Sequence, residues 1–172
     1  MPPLTPVSLT TCLWHDGTAE AAATFYVSVF PNSRITHIQR YTAAGRDTHG
    51  QEPGAVLVAE FVLNGHRFVA LNGGPAHKTF SPAISFQIDC ASQDEVDYYW
   101  DKLGEGGDLE HRQCGWVQDK FGMSWQVVPA VLKEMLASQD AEAAGRAMVA
   151  MMGMEKLDIA GLKRAFDGEG EK

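Results

Sequence analysis

Ile84-Ser85-Phe86-Gln87-Ile88-Asp89, followed by Gln93-Asp94-Glu95-Val96-Asp97-Tyr98-Tyr99-Trp100-Asp101-Lys102-Leu103, is the stretch from which the fold can be read. Ile84, Phe86 and Ile88 alternate with Ser85 and Gln87, the period of a half-buried strand. The following segment changes to a helical period, and Gly104 with Gly106-Gly107 ends it. The same order stands earlier in the chain. Thr10-Thr11-Cys12-Leu13-Trp14-His15-Asp16 precedes Ala19-Glu20-Ala21-Ala22-Ala23-Thr24-Phe25-Tyr26-Val27-Ser28-Val29-Phe30, which Pro31 closes. There Ala22, Phe25, Tyr26, Val29 and Phe30 form one apolar stripe. Superposing Asp16 on Asp89 puts Phe25 on Tyr98, Tyr26 on Tyr99 and Phe30 on Leu103, an internal repeat.

Each half continues with three strand-like segments. Residues 33–41, 55–63 and 66–72 follow the first helix, with Asn64-Gly65 as a hairpin turn. Residues 109–112, 115–118 and 123–128 follow the second, with Asp119-Lys120-Phe121-Gly122 as a turn. The excursion 42–54 belongs to the first half only. The expected class is therefore α+β. Tandem βαβββ modules, 8–75 and 82–129, form a curved eight-stranded mixed sheet with a concave cup and helices outside. Residues 130–172 form a helical C-terminal extension, with helices over 130–137, 140–152 and 157–166. Asp140 and Asp158 are its N-caps and Gly153 a C-cap. Ala147, Met148, Met151, Met152 and Met154 give it a deformable apolar patch, suited to cover a sheet edge or a dimer seam.

The 172 residues are 45% hydrophobic and 21% charged, ordinary for a globular chain. No apolar run approaches the roughly 18 residues of a membrane span. Met1-Pro2-Pro3-Leu4-Thr5-Pro6 lacks the basic-then-apolar order of a signal peptide, so a cytoplasmic location is expected. Fourteen basic against 22 acidic side chains leave a formal charge of −8, which argues against nucleic acid and anionic membrane as partners. Cys12, Cys90 and Cys114 have no close spacing and read as reduced thiols.

The repeat, the Asp16-Gly17-Thr18-Ala19-Glu20-Ala21-Ala22 opening with Phe25-Tyr26, and Cys114-Gly115-Trp116-Val117-Gln118-Asp119-Lys120-Phe121-Gly122-Met123-Ser124-Trp125-Gln126-Val127-Val128-Pro129 carry a resemblance. Leu71-Asn72-Gly73-Gly74-Pro75 and Ala83-Ile84-Ser85-Phe86 add to it. Together they resemble the vicinal-oxygen-chelate superfamily in its PhnB-like branch, often labelled demethylubiquinone-methyltransferase-like. The resemblance spans about residues 8–130 and implies a cup for a small ligand and a homodimer. In the superfamily's enzymes it also implies a divalent metal held by His, Glu or Gln from the first and last strand of each half.

Here those positions fall on Gln126, near Val69, near Leu9 to Thr11 and near Ala83, so neither metal nor cofactor is expected. Six histidines, His15, His37, His49, His66, His77 and His111, show no local ligand pair. Glu60 shares a strand face with Val56, Val58 and Val62, where a carboxylate could act as a base or hold a ligand donor; a paired structural Glu is the alternative. Cys114 near His111 and Arg112 reads as a buried small hydrophobe sooner than a nucleophile. Glycines at Gly73-Gly74 and at 104–107 suit turns and caps, not a nucleotide loop. Trp14, Glu60, Asn72, Ser85, Gln87, Cys114, Trp116 and Gln126 are the candidate cup residues. Their aromatic and mostly neutral polar character suits an uncharged or weakly polar organic molecule. Whether the chain is an enzyme stays open. A metal-dependent lyase, isomerase or dioxygenase using Gln126, Glu60 and a His is one alternative, and a dimeric scaffold with a filled cup another.

Overall fold

The computed structural model describes residues 7–77 and 79–169. The expectations for residues 1–6 and for the end of the extension, 170–172, lie outside them. The chain divides between residues 78 and 79 into two compact units.

In the first unit, strand β1 (Thr11–His15) leads into helix α1 (Ala19–Val29), then β2 (Arg34–Arg40), a short helix α2 (Arg46–His49), β3 (Val56–Leu63) and β4 (His66–Asn72). The sheet order is β1-β4-β3-β2, with β1 parallel to β4 and the rest antiparallel. Asn64 and Gly65 both take positive φ, 43° and 89°, as the tight hairpin between β3 and β4 requires. Helix α1 buries Ala19, Ala22, Ala23, Tyr26 and Val29. Beneath it lie Leu13, Ala59, Phe61, Leu63, Phe68 and Ala70 from alternate strand positions. The Phe61 ring stacks between those of Tyr26 and Phe68, at 6.0 and 5.1 Å.

The excursion 42–54 folds on itself. Arg46 pairs with Glu52, His49 packs on Tyr41 at 4.6 Å, and the Tyr41 hydroxyl donates to the Asn72 carbonyl at 2.7 Å.

In the second unit, β5 (Ser85–Cys90) leads into α3 (Gln93–Gly104), a 3₁₀ turn (Leu109–His111), β6 (Trp116–Gln118) and β7 (Ser124–Pro129). Helices α4 (Ala130–Leu136), α5 (Ala141–Met152) and α6 (Ile159–Asp167) follow. The sheet order is β5-β7-β6, with β5 parallel to β7. Ser92 caps α3 by accepting from the Glu95 amide at 3.3 Å, while Glu95 reaches back to the Ala91 amide at 2.7 Å.

The α+β class holds, and the described residues form sheets of four and three strands. The expected eighth strand, 109–112, is the 3₁₀ turn. Asp108 sets it by accepting from the Glu110 amide at 2.9 Å and pairing with His111 at 3.1 Å, a local capping geometry that competes with extension. The repeat is also corrected by one residue in its helices. Buried Ala22, Tyr26 and Val29 correspond to buried Val96, Trp100 and Leu103, whereas Tyr98 is 42% exposed. Matching aromatic to aromatic misled, because the core selects the face that meets the sheet, not the residue type.

Asp140 and Asp158 cap α5 and α6, each accepting two backbone amides. Arg146 on α5 donates to the Ala165 and Phe166 carbonyls at 3.0 and 2.6 Å, closing the C-terminal end of α6. Leu132, Met135, Ala147, Leu157 and Leu162 form the core of the extension. The expected methionine patch splits. Met151 and Met154 pack on this core, while Met148 and Met152 are 40% and 59% exposed.

The extension covers a sheet edge. The Cys114 and Gly115 amides donate to the Met154 and Glu155 carbonyls at 2.7 and 2.8 Å, while Val127 donates to Gly115 O at 2.7 Å. Two consecutive amides turned to the same side, toward the loop between α5 and α6, go with left-handed backbone, and Cys114 and Gly115 have φ of 53° and 82°.

Candidate functional site

Each sheet has one face under its own helix and one carrying polar side chains. Cross-strand partners project to the same side, so the pairing register shows which groups meet. On the open face of the second sheet, Gln87, Gln126 and Trp116 stand side by side across β5, β7 and β6. The Gln126 amide nitrogen donates to the Ser85 hydroxyl at 2.8 Å. Gln87 donates to Asp89 at 2.8 Å, and Asp89 holds Lys133 at 2.6 Å. The Lys133 and Gln87 bonds hold the Asp89 carboxyl below its usual range. Four of the eight residues expected to bind ligand, Ser85, Gln87, Trp116 and Gln126, are therefore neighbours.

On the open face of the first sheet, one row reads Trp14–Leu71–Val58–Gln39 and the next Cys12–Val69–Glu60–His37. Glu60 is exposed, opposite buried Ala59 and Phe61. Trp14 is half-buried. Its indole donates to the Gly74 carbonyl at 2.8 Å, and His77 meets its ring edge at 4.9 Å. Gly73 lies so close that a Cβ there would come within 2.1 Å of the ring.

Asn72 lies on the other side. It is 7% exposed, accepts from the Ala19 amide at 3.0 Å and donates to the Val56 carbonyl at 3.0 Å. Thr18, at the N-cap of α1, makes no side-chain cap bond, and Asn72 supplies one from across the sequence. Both bonds tie β4 to its neighbours under the helix, apart from the open-face rows. Cys114 stands at the tail-covered edge, beside a 320 Å³ hollow that Glu110, His111 and Trp116 also line. The Cys90 thiol is buried and pushed up to about 12, by burial first and then by Glu95 and Asp89. Burial also lowers His15, under α1, to about 4.

The metal positions of the resembled enzymes can be tested on the donors present. Val69 pairs with Cys12, and Gln126 with Gln87, so the first-strand positions lie somewhat beyond the expected 9–11 and 83. A valine, a thiol and two neutral amides do not make a site for a hard divalent ion. No three His, Cys, Asp or Glu side chains among the described residues form a group able to hold a metal.

The sequence reading missed Arg34, His37 and Arg67. Arg34–Val62–Arg67 form the row beyond Glu60. Alternation in 66–72 puts Arg67 with Val69 and Leu71, but its approach to Arg34 depends on a register no local pattern carries.

Among curated proteins none matches the chain significantly. A PhnB protein from Bacillus cereus, described as a 3-demethylubiquinone-9 3-methyltransferase, is 34% identical, with a TM-score of 0.62 over 72% of this chain and 100% of its own. Protein PA1353 from Pseudomonas aeruginosa shares the fold at 17% identity and TM-score 0.55, over 72% of this chain and 98% of its own. The family model for 3-demethylubiquinone-9 3-methyltransferase matches residues 7–128, which leaves the helical extension outside it. With most of its length under that model, the chain belongs to the 3-demethylubiquinone-9 3-methyltransferase family, in its PhnB-like branch.

Proposed function

We propose that the chain binds a small organic molecule on its open sheet faces without the divalent metal of vicinal-oxygen-chelate enzymes, and that it works as a cytoplasmic homodimer. The carrying observation is the Gln87–Gln126–Trp116 row: two amides on the first and last strands of the second half, the strands that carry metal ligands in the enzymes, with an indole beside them. Neutral hydrogen-bonding groups beside an aromatic face orient a ligand and supply no Lewis acid. On its own open face the first unit offers Glu60 and Trp14 as ligand contacts.

The family description names methyl transfer, which would need a methyl donor. The glycines do not fit a nucleotide cradle. Gly73 backs onto the Trp14 ring, and a Cβ on Gly107 would come within 1.8 Å of the Gln118 carbonyl.

The test is thermal unfolding of chelator-stripped protein with Zn²⁺, Mn²⁺, Ni²⁺, Fe²⁺ or Mg²⁺, then with a library of flat organic compounds. A ligand of the folded state raises the melting temperature with concentration. The expected result is a rise with library members and none with metals. A metal-induced rise lost in Gln126→Ala would overturn the proposal in favour of a metalloenzyme. No rise with anything would favour a scaffold with no ligand. Light scattering of the eluting protein tests the dimer.

A further inference from the structure

We propose that the first unit binds the single carboxylate of an otherwise apolar, flat molecule, with Arg34 and Arg67 as its anchors. The inference rests on the small-molecule reading and names the ligand's class. Arg34 on β2 and Arg67 on β4 flank Val62 on β3. Two strand spacings separate their backbones by about 10 Å, within the joint reach of two guanidinium side chains. A groove of about 880 Å³ runs over this face, lined by both arginines with His37, Glu60, Val62 and Val69. That volume lies in the range of small-molecule sites.

Charge sets the ligand class. The whole chain has a formal charge of −8, yet here two arginines gather around one carboxylate, Glu60. Among the described residues no ion pair joins Arg34 or Arg67 to any acid, while Arg40, Arg46 and Arg164 each have one. Two guanidinium groups and Glu60 leave one positive charge, which a monoanion neutralises and a dianion would overshoot. A guanidinium fork matches a carboxylate in geometry as well as charge. Beyond Arg67 the face turns apolar along β4, through half-buried Val69 and Leu71 to Trp14 on β1, while Glu60 and His37 stand on the β3 and β2 side of the same rows. A carboxylate held at the arginine row thus places a flat body along Val69 and Leu71 toward the indole.

A backbone irregularity helps to build this site. The β2–β3 register shifts between Ile35 and His37, so Ile35 and Ile38, three apart, are both half-buried while His37 comes to lie opposite Glu60.

The experiment is calorimetric titration of the full chain with 2-naphthoate and with 2-naphthamide, which share a shape and differ in charge. It is done at low and high salt, on the wild type, Arg34→Gln and Arg67→Gln. The expected result is about tenfold tighter binding of the acid than of the amide, weakening with salt. Each substitution should cost the acid about tenfold and leave the amide unchanged, as the loss of one charged contact does. Both variants should unfold at the wild-type midpoint, since their side chains are exposed. Equal binding of acid and amide in all three proteins would overturn the carboxylate inference and leave the small-molecule reading standing. Binding of neither probe would also overturn it, and the library screen alone would then decide the wider reading.

Discussion

Gly115→Ala is the sharpest test of how the helical extension is joined to the second sheet. Gly115 has φ of 82°, and an added Cβ would lie 2.8 Å from the Val127 carbonyl oxygen and 2.9 Å from Leu157 Cδ1. Neither neighbour moves easily. Val127 O belongs to the central strand of the sheet, and Leu157 is fully buried. Left-handed backbone costs alanine about 1–2 kcal/mol, and forcing a methyl into packed surroundings adds about 1–3 kcal/mol. The sum, about 2–5 kcal/mol, corresponds to a melting temperature lower by about 4–20 °C for a chain of this size.

Hydrogen exchange localises the effect. The Cys114 and Gly115 amides, bonded to Met154 and Glu155 carbonyls, should lose protection. Gly145→Ala is the control. Gly145 sits within α5 with nothing within 4 Å of its added Cβ, so alanine there should stabilise by up to about 1 kcal/mol. An unchanged midpoint for Gly115→Ala, with both amides still protected, would refute the docking argument.

Further outcomes follow from buried polar groups. His15 is lowered from 6.5 to about 4 by burial, so the unfolded chain takes up its proton first. Its contribution is complete above pH 6.5 and is lost as the pH falls toward 4, by roughly 2–3 kcal/mol. Denaturant midpoints across that window should fall less steeply in His15→Gln, and parallel curves would exclude His15 as the cause. Asn72→Ala removes the bonds to Ala19 and Val56 and should cost about 2–3 kcal/mol in urea unfolding; a change under about 0.5 kcal/mol would deny it the capping role. Asp119 accepts from the Phe121 and Met123 amides and from the Trp125 indole. In Asp119→Asn either amide orientation sets a donor against a donor, so a loss of about 1–3 kcal/mol with altered tryptophan fluorescence is expected, and wild-type behaviour would contradict that bonding.

Local chemistry was legible in the sequence because it acts over a few residues. The change from period two to helical period after Asp89, the Asn64-Gly65 hairpin, and the Asp140 and Asp158 caps are each decided by neighbours in the chain, and each stands in the structure. The shared strand face of Glu60 with its valines came from alternation, which a strand enforces on itself.

What joins distant segments had to wait for the tertiary structure. Asn72 looks like a polar strand residue until the N-terminus of α1 is seen above it. The one-residue correction to the repeat comes from which helix face meets the sheet. The register shift beside Thr36 brings His37 to Glu60 against simple alternation, and cross-strand pairing sets Arg34 and Arg67 in one row. Cys114 and Gly115 take left-handed backbone because carbonyls about 40 residues further along the chain must be met. Such choices are settled by hydrogen bonds and steric contacts between segments far apart in sequence, and no periodicity within one segment encodes them.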